Sequence, residues 1–432
     1  MLTAFARAFR TPDLRKKILF TLFIILVFRI GSSLPTPNVN VEVLKKTSDA
    51  AKEGSQGQVF QLVDLFSGGA LLKLSVFALG IMPYITASII LQLLTVVIPR
   101  LEALKKEGQA GTTKITQYTR YLTVGLAILQ GTGIVAMASS GQLFGNAAQE
   151  DVLYDKGLFP IITMVVCMVA GTSVIMWLGE LITDRGVGNG MSILIFTQVV
   201  AIFPAQFWGI YTKKSPFVFA LVIIVGLAIM AGVVFVEQAQ RRIPVQYAKR
   251  MVGRRMYGGT STYIPLKVNQ AGIIPVIFAS SLLYLPVLAS QLWPENKWVI
   301  KIQPYLQQDN AWHMAVFFGF IIFFTYFYVA ITFNPTEVAD NMKKYGGFIP
   351  GIRPGRPTAE YLDYVLTRIT TPGALYLGLV ALIPMVAFAL LKATNDFPFG
   401  GTSILIVVGV GLDTVKQVES QLQQRNYEGF LR

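Results

Sequence analysis

The sequence predicts an all-α integral membrane protein of about ten transmembrane helices. Three observations predict this fold class: the composition, the spacing of the apolar segments and the distribution of the basic residues. Of the 432 residues, 53% are hydrophobic and 14% are charged, and the mean hydropathy is +0.55. These values lie well outside those of soluble domains. The length is therefore divided among membrane spans rather than among soluble domains.

The amino terminus predicts an uncleaved first span. Basic residues within Arg7–Lys17 precede an apolar run over residues 18–30, as in a signal peptide. Arg29, Pro35 and Pro37 follow where a cleavage site would need small residues. We expect Arg29 to pair with another helix or to snorkel toward the membrane surface rather than to relay protons.

Nine further segments approach the roughly 20 apolar residues that a helix needs to cross a hydrocarbon core of about 30 Å. The fifth and tenth spans are the weakest, because one opens on Gly186-Val-Gly-Asn-Gly190 and the other is interrupted by Asp413 and Lys416. Such segments suit positions that are shielded by protein or line water. The ten spans cover residues 18–37, 74–98, 118–138, 157–178, 187–206, 216–236, 272–292, 312–333, 373–391 and 402–421.

The connection between the first two spans has two interpretations. Residues 61–99 are too long for one crossing and are interrupted by Ser67-Gly-Gly-Ala70. The pattern fits a short re-entrant helix on the outer side, joined to the second span, as well as it fits an ordinary interfacial segment. The residues alone do not decide between the two.

The basic residues give the orientation. With ten spans, both termini lie on one side of the membrane, and that side holds 26 of the 37 Lys and Arg residues. The other side holds 10, and Arg29 lies within the first span. The positive-inside rule makes the basic side cytoplasmic, with both termini and the loops after the second, sixth and eighth spans.

Several kinds of chemistry are not predicted. Cys167 and His313 are the only cysteine and histidine, so neither a disulfide nor a soft-metal site is expected. The stretch Gly108–Lys114 lacks the order of a phosphate-binding loop, and Ser173 lacks the glycine and histidine of a hydrolase nucleophile. The glycines of Gly186–Gly190 favour close helix packing over phosphate binding. We predict no enzymatic activity and no cofactor.

The apolar spans favour a passive conduit. The middles of the second to tenth spans contain no ionisable residue, whereas coupled transporters usually bury such groups near the midplane. A pathway through this chain would be lined by apolar and neutral polar side chains. A ten-span secondary solute transporter is the alternative.

Two loops on the basic side predict a docking surface. The sixth and seventh spans are joined by a long basic hairpin or arm that contains Arg241–Arg250, Arg254 and Arg255, and the loop after the eighth span presents Arg353 and Arg356 on a tip rich in proline and glycine. These residues either anchor the topology or dock onto RNA phosphates or an acidic partner surface. Two projecting loops indicate a large partner.

Several long motifs in order along nearly the whole chain resemble the SecY family, the central subunits of bacterial protein-conducting channels. They are Phe77-Ala-Leu-Gly-Ile-Met-Pro-Tyr-Ile85, Lys106-Glu-Gly108, Ile115-Thr-Gln-Tyr-Thr-Arg120, Arg185-Gly-Val-Gly-Asn-Gly190, Tyr247-Ala-Lys-Arg250, Pro265-Leu-Lys-Val-Asn269 and Gly400-Gly-Thr-Ser403. The resemblance implies two pseudo-symmetric five-helix halves, residues 1–206 and 207–432. It also implies an hourglass pore, a re-entrant plug helix in place of the interfacial segment, and a lateral opening to lipid.

The resemblance assigns four groups of residues. The pore ring comprises Ile81, Ile85, Met191, Ile195, Ile277 and Ile406. The plug contains Leu62, Val63, Leu65, Phe66, Ser67, Gly68, Gly69 and Ala70. The lateral gate has the neutral polar residues Thr86, Gln92, Gln130 and Asn269, which would exchange hydrogen bonds. The docking residues are Arg241, Arg242, Lys249, Arg250, Arg254, Arg255, Arg353 and Arg356.

Two physical arguments accompany the ring. Ile81 and Ile85, like Met191 and Ile195, are four residues apart, so each pair lies on one helix face. Bulky apolar side chains around a constriction exclude water and ions and yield to a passing chain. Isoleucine is common in the family where Met191 stands here, but a flexible apolar methionine should preserve the seal.

The function implied is that of a passive channel in the bacterial cytoplasmic membrane. It would translocate unfolded secretory chains and release transmembrane segments sideways into lipid. Its implied partners are the small subunits SecE and SecG, the SecA motor ATPase, the ribosome, signal sequences, nascent chains and membrane lipid. A ribosome receptor without a pore is a third interpretation.

Overall fold

A computed structural model describes residues 9, 11–44, 68–71, 73–139, 152–213, 216–247, 250–252, 255–257, 261–292, 310–391 and 401–430. The helices of the amino-terminal part are α1 (Pro12–Gly31), α2 (Met82–Val97), α3 (Pro99–Lys106), α4 (Gln109–Ser139), α5 (Leu158–Arg185) and α6 (Gly190–Lys213). The later elements are α7 (Pro216–Gln238), β1 (Gln240–Tyr247), β2 (Arg250–Val252), β3 (Arg255–Tyr257), β4 (Ser261–Lys267), α8 (Ile274–Leu292), α9 (Ala311–Thr332), α10 (Pro335–Lys344), β5 (Gly347–Phe348), α11 (Arg356–Leu391) and α12 (Gly401–Phe430).

A helix overlaps each of the ten predicted spans: α1, α2, α4 to α9, α11 and α12. Several helices begin on residues suited to a first turn. Proline lies in the first turn of α1, α2, α3 and α10, where its missing N–H leaves no hydrogen bond unmade. The side chain of Asn310 caps α9 by accepting a hydrogen bond from the Trp312 backbone N–H at 3.0 Å.

Six helices in the described part of the chain are long and apolar enough to cross a membrane alone, namely α4, α5, α6, α7, α9 and α11. The pair α2 and α3, bent by 100°, would make a seventh. The fifth span was expected to be weak, and that expectation is wrong for the helix itself. Helix α6 starts only at Gly190, after the glycine-rich turn, and continues to Lys213. It therefore also crosses the predicted 206/207 boundary between halves, and the next helix begins at Pro216.

The second span is helical over only part of its predicted length. Residues 74–81 form turns, and Val76 donates a backbone hydrogen bond to the Leu34 carbonyl at 2.9 Å. Gly80 is left-handed (φ 57°) and Pro83 lies in the first turn of α2, so the helix does not extend backward. At its other end, extended Ile98 precedes Pro99 and produces the bend into α3.

The apolar side chains of the helices form three main clusters. In the first cluster, every buried member lies between Val39 and Met168. In the third, every buried member except Ile89 lies between Val233 and Leu412. The second, which we call the central cluster, joins side chains of α1, α5, α6, α8 and α12 with residues at the start of α2. The central cluster is therefore where the two parts of the chain meet.

Three strands form a sheet in the order β4-β1-β5, which we call the basic sheet. Strands β1 and β4 are antiparallel, from Gln240 opposite Lys267 to Gln246 opposite Ser261. They confirm the hairpin that the basic loop predicted, and β2 and β3 pair farther along it. Strand β5 pairs with the other edge of β1 and joins the loop after α9 to the hairpin.

Candidate functional site

The six predicted ring residues lie together in the central cluster. Ile81, Ile195, Ile277 and Ile406 are buried members, and Ile85 and Met191 pack against it. The side chains of Ile81 and Ile406 are each 1% exposed. They come from the start of α2 and from α6, α8 and α12. Positions far apart in sequence therefore pack together in one buried apolar cluster.

The start of α6 positions two ring residues. The side chain of Asn189 accepts hydrogen bonds from the backbone N–H groups of Met191 and Ser192 at 3.1 and 3.4 Å. This cap fixes the first turn of the helix. Met191 lies in that turn and Ile195 lies one turn later, so both reach the central cluster.

Close packing of α5 against α6 depends on glycine. A Cβ atom on Gly190 would overlap the carbonyl oxygen of Gly179, and one on Gly179 would overlap the Met191 side chain. The Gly190 N–H also donates to the Thr183 hydroxyl at 3.0 Å. The prediction of close helix packing at Gly186–Gly190 is therefore confirmed at Gly190.

Arg29 and Gln198 meet at the last residues of the predicted plug. Arg29 Nη1 donates to the Gly68 carbonyl oxygen at 3.2 Å, and a Cβ on Gly68 would lie 3.2 Å from Gln198 Cα. Gly68 and Gly69 are both left-handed, with φ of 69° and 84°, and Ala70 is fully buried. The remaining plug residues, Leu62, Val63, Leu65, Phe66 and Ser67, lie outside the described residues. The sequence analysis did not foresee this contact between Arg29 and the Gly68 carbonyl.

The four gate residues are arranged less symmetrically than the sequence implied. Thr86 and Gln130 are buried on α2 and α4, which pack together, and α8 contacts both helices. Gln92 is exposed on α2. Asn269, just before α8, donates to Glu237 Oε1 at 2.5 Å and to the Gly272 carbonyl at 3.1 Å.

An exchange of hydrogen bonds among the four gate residues is therefore wrong for this structure. The described hydrogen bonds join no two of them. The physical reason is the carboxyl group of Glu237 at the end of α7, because a carboxylate is a stronger acceptor than a neutral amide. Sequence analysis missed Glu237, since one acidic residue at the end of an apolar span is typical of a helix end near the membrane surface.

The predicted docking residues lie on the basic sheet and on the loop beside it. Arg241 and Arg242 are exposed, and the Arg242 guanidinium lies 4.8 Å from the Tyr263 ring centroid. Ile243 and Val245 of the same strand are buried in the cluster beneath the sheet. This alternation puts Arg242 on the outer face, and Arg241 is exposed near the start of the strand.

Of the remaining six predicted docking residues, the structure describes four, on the tip after α10 and on the far part of the hairpin. Arg353 and Arg356 are exposed, and Arg356 Nε donates to Glu360 Oε1 at 3.0 Å. Arg250 and Arg255 lie in the paired strands β2 and β3. Lys249 and Arg254 lie outside the described residues.

Two further contacts were not predicted. Strand β5 has only two residues, too short to carry an alternating pattern, yet it places Gly347 opposite Tyr247. Arg120 forms a two-point ion pair with Glu180, with N–O distances of 3.0 and 2.7 Å. Sequence analysis placed the start of the third span at residue 118, but α4 already begins at Gln109. The ion pair joins α4 to α5.

Comparisons with known proteins agree with this architecture. A family model described as SecY matches residues 75–415. The chain is 67% identical over 439 residues to the protein translocase subunit SecY of Streptomyces scabiei, covering 100% of both chains. It is 58% identical over 442 residues to the subunit of the same name from Mycobacterium tuberculosis, again over 100% of both chains.

Solved structures are similar in fold at low identity. One is described as a protein-conducting channel, with a TM-score of 0.63 and 17% identity over 94% of this chain and 92% of that one. Another is Sec61 in the canine ribosome-channel complex from the endoplasmic reticulum, with a TM-score of 0.56 and 16% identity over the same shares. These likenesses confirm the predicted all-α membrane fold.

Proposed function

Because the chain belongs to the SecY family, we propose that it is a passive protein-conducting channel, which passes unfolded polypeptides across a membrane and releases transmembrane segments sideways into the bilayer. The convergence of the six ring side chains in the central cluster carries this proposal. Such a ring excludes water and ions at rest. Bulky apolar side chains around a constriction can yield to a moving chain, and the thioether side chain of Met191 is flexible.

The driving force comes from a partner in this proposal. The sequence has no phosphate-binding loop, and the middles of the second to ninth spans, where described, carry no Asp, Glu, Lys or Arg. The alternative of a secondary solute transporter is not supported, because the full-length relatives are translocase subunits.

We place the lateral gate where α2 and α4 face α8. Buried Thr86 and Gln130 lie on one side of this seam, and Asn269 stands at the start of the other. An apolar signal sequence that enters the seam replaces helix contacts of similar strength, because lipid tails are as apolar as the helix surfaces. The Asn269–Glu237 hydrogen bond would hold the start of α8 against α7 in the closed gate.

We propose that the outer face of the basic sheet and the tip with Arg353 and Arg356 form one docking platform for the ribosome or the SecA motor. A ribosome-bound Sec61 channel has the same fold, and exposed arginines suit phosphate and carboxylate surfaces. The small subunits SecE and SecG complete the proposed complex. The basic side then faces the cytoplasm with both termini, in a bacterial cytoplasmic membrane.

The plug gives a direct test of the channel against a receptor without a pore. Deleting residues 62–71 should raise the resting ion conductance of the purified complex in planar bilayers, because the ring would lose its outer cover. Lys73→Ala, at an exposed position beside the deletion, serves as the control and should leave conductance unchanged. Conductance that stays at the control level after the deletion would favour the receptor.

A further inference from the structure

A buried polar side chain lies at the edge of the central cluster. Gln198 is 0% exposed, and neither its amide nitrogen nor its amide oxygen has a hydrogen-bond partner in the described part of the chain. Leaving a buried polar group unpaired destabilises the folded protein. An apolar residue of the same size would fill the space without that cost. The amide is therefore placed to meet a partner other than the described residues.

The position of Gln198 relates it to the ring. Gln198 follows Ile195 by three residues on α6, a rise of about 4.5 Å along the helix. It is followed directly by Val199, a buried member of the central cluster. In the proposed orientation, α6 runs outward, so a translocating chain reaches Gln198 directly after it leaves the ring.

The same place already holds a peptide carbonyl. The half-buried guanidinium of Arg29 donates to the Gly68 carbonyl oxygen at 3.2 Å, and Gly68 packs against the Gln198 backbone and Cγ atom. The guanidinium has further N–H donors, and the glutamine amide offers both a donor and an acceptor. Together the two side chains match the carbonyl and N–H of a peptide group, whatever its side chain.

We propose that Arg29 and Gln198 form a binding site for the main chain of the translocated polypeptide, immediately beyond the ring. The Gly68 carbonyl occupies part of the site at rest, and carbonyl and N–H groups of the moving chain replace it. Peptide groups lose their water in the apolar ring, so a polar contact at its exit lowers the free energy of the extended chain there. The inference rests on the proposed channel function and adds the chemistry of its exit.

The first test is the rate of translocation. The complete channel complex in lipid vesicles would be supplied with a secretory chain, and the protease-protected fraction would be followed in time. We expect Gln198→Leu and Arg29→Met each to slow translocation about five-fold, as the loss of roughly one hydrogen bond implies. The double variant should reduce the translocation rate by less than the product of the two single reductions, because both side chains act on one site.

Matched variants separate binding from packing. Gln198→Asn and Arg29→Lys keep the polar groups and should recover part of the rate. Thr197→Val removes a neighbouring hydroxyl that bonds only its own helix, at Ile193, and should keep the wild-type rate. The proposed site would be contradicted if Gln198→Leu and Arg29→Met translocated as fast as Thr197→Val.

A crosslink tests contact directly. In a Cys167→Ser background, a stalled chain with one cysteine should form a disulfide with Gln198→Cys and much less with Thr197→Cys. Suppose that the crosslink yields at positions 197 and 198 are equal while a cysteine at position 195 still crosslinks. That result would contradict the binding site but not the proposed channel function. A loss of all crosslinks, including the one at position 195, would instead contradict the channel function on which the site depends.

Discussion

The central cluster and the basic sheet both join segments that are distant in sequence, but they do so by different forces. The cluster holds its ring by side-chain packing alone, with no hydrogen bond between ring side chains in the described part of the chain. The sheet holds two loops in register by backbone hydrogen bonds, from β4 through β1 to β5. Packing contacts re-form easily after a displacement, whereas a strand register is restored only when every pair returns.

This difference fits the proposed roles. A constriction that opens for many sequences needs interchangeable apolar contacts, and a docking platform needs a fixed spacing between charged side chains. The comparison predicts that the central cluster tolerates changes of shape but not of polarity or backbone distance. The basic sheet should tolerate loss of one charge more easily than loss of backbone pairing.

The largest expected effect is at the α5–α6 contact beside the ring. Gly190→Ala should lower the free energy of unfolding by about 3 kcal/mol, because the new methyl group overlaps the Gly179 carbonyl oxygen. The measurement is the midpoint of thermal unfolding of the purified complex. Gly232→Ala, on α7 with no atom within 4 Å of the added Cβ, is the control and should not lower the midpoint, because alanine favours a helix more than glycine does. An equal effect of both substitutions would refute the close contact.

A polar group in the ring should have the next largest effect. Ile406→Asn should raise the resting conductance in planar bilayers about ten-fold, because a buried unpaired amide destabilises the closed ring by about 1–3 kcal/mol. Ile406→Leu keeps the volume and apolarity and should conduct as the wild type does. If the resting conductance of Ile406→Leu were as high as that of Ile406→Asn, the seal would depend on side-chain shape rather than on apolarity. That result would contradict the expected tolerance of the central cluster to changes of shape.

The pairing of β5 should have a smaller effect, confined to the sheet. Phe348→Pro removes a backbone donor from the two-residue strand. We expect amide hydrogen exchange over residues 345–352 to become about five-fold faster, since local opening follows the lost pairing. Phe348→Ala keeps the backbone and should exchange nearly as the wild type does. If exchange became faster in Phe348→Ala but not in Phe348→Pro, the Phe348 side chain rather than the backbone pairing would hold β5 in place.

Single charges on the platform should matter least. Arg353→Ala should weaken ribosome binding about three-fold at low salt, and added salt should reduce the difference. Arg356→Ala should weaken it less, because Glu360 lies 3.0 Å from the Arg356 guanidinium and already offsets part of its charge. Binding measured by cosedimentation at two salt concentrations tests both. A larger loss for Arg356 than for Arg353 would contradict this ranking.

The sequence predicted best what composition and local pattern determine. Ten apolar segments overlap ten helices, and the basic loop after α7 forms the predicted hairpin. The sequence predicted least well where a tertiary contact overrides local preference. Residues 74–81 are apolar enough for a helix but form turns because they pair with the segment after α1.

The candidate site shows the same division. The family resemblance named ring residues that the structure brings together, although each alone reads as an ordinary core residue. It did not foresee that Asn269 would bond Glu237, that Arg29 would bond Gly68, or that β5 would join the hairpin. Those contacts link positions whose distances in space no local pattern encodes. The resemblance therefore identified apolar side chains that pack together, but not the polar contacts around them.

The central claim is that a polypeptide passes through the six-residue ring, whose buried members are Ile81, Ile195, Ile277 and Ile406. Its most direct test is site-specific crosslinking of a stalled secretory chain to a photoreactive residue at each of these positions. Leu158 and Phe217, which are 77% and 76% exposed on the outer surface of α5 and α7, provide matched control positions. The account predicts crosslinks to the chain from all four ring positions and from neither control. Crosslinks from the surface positions, with none from the ring, would contradict it.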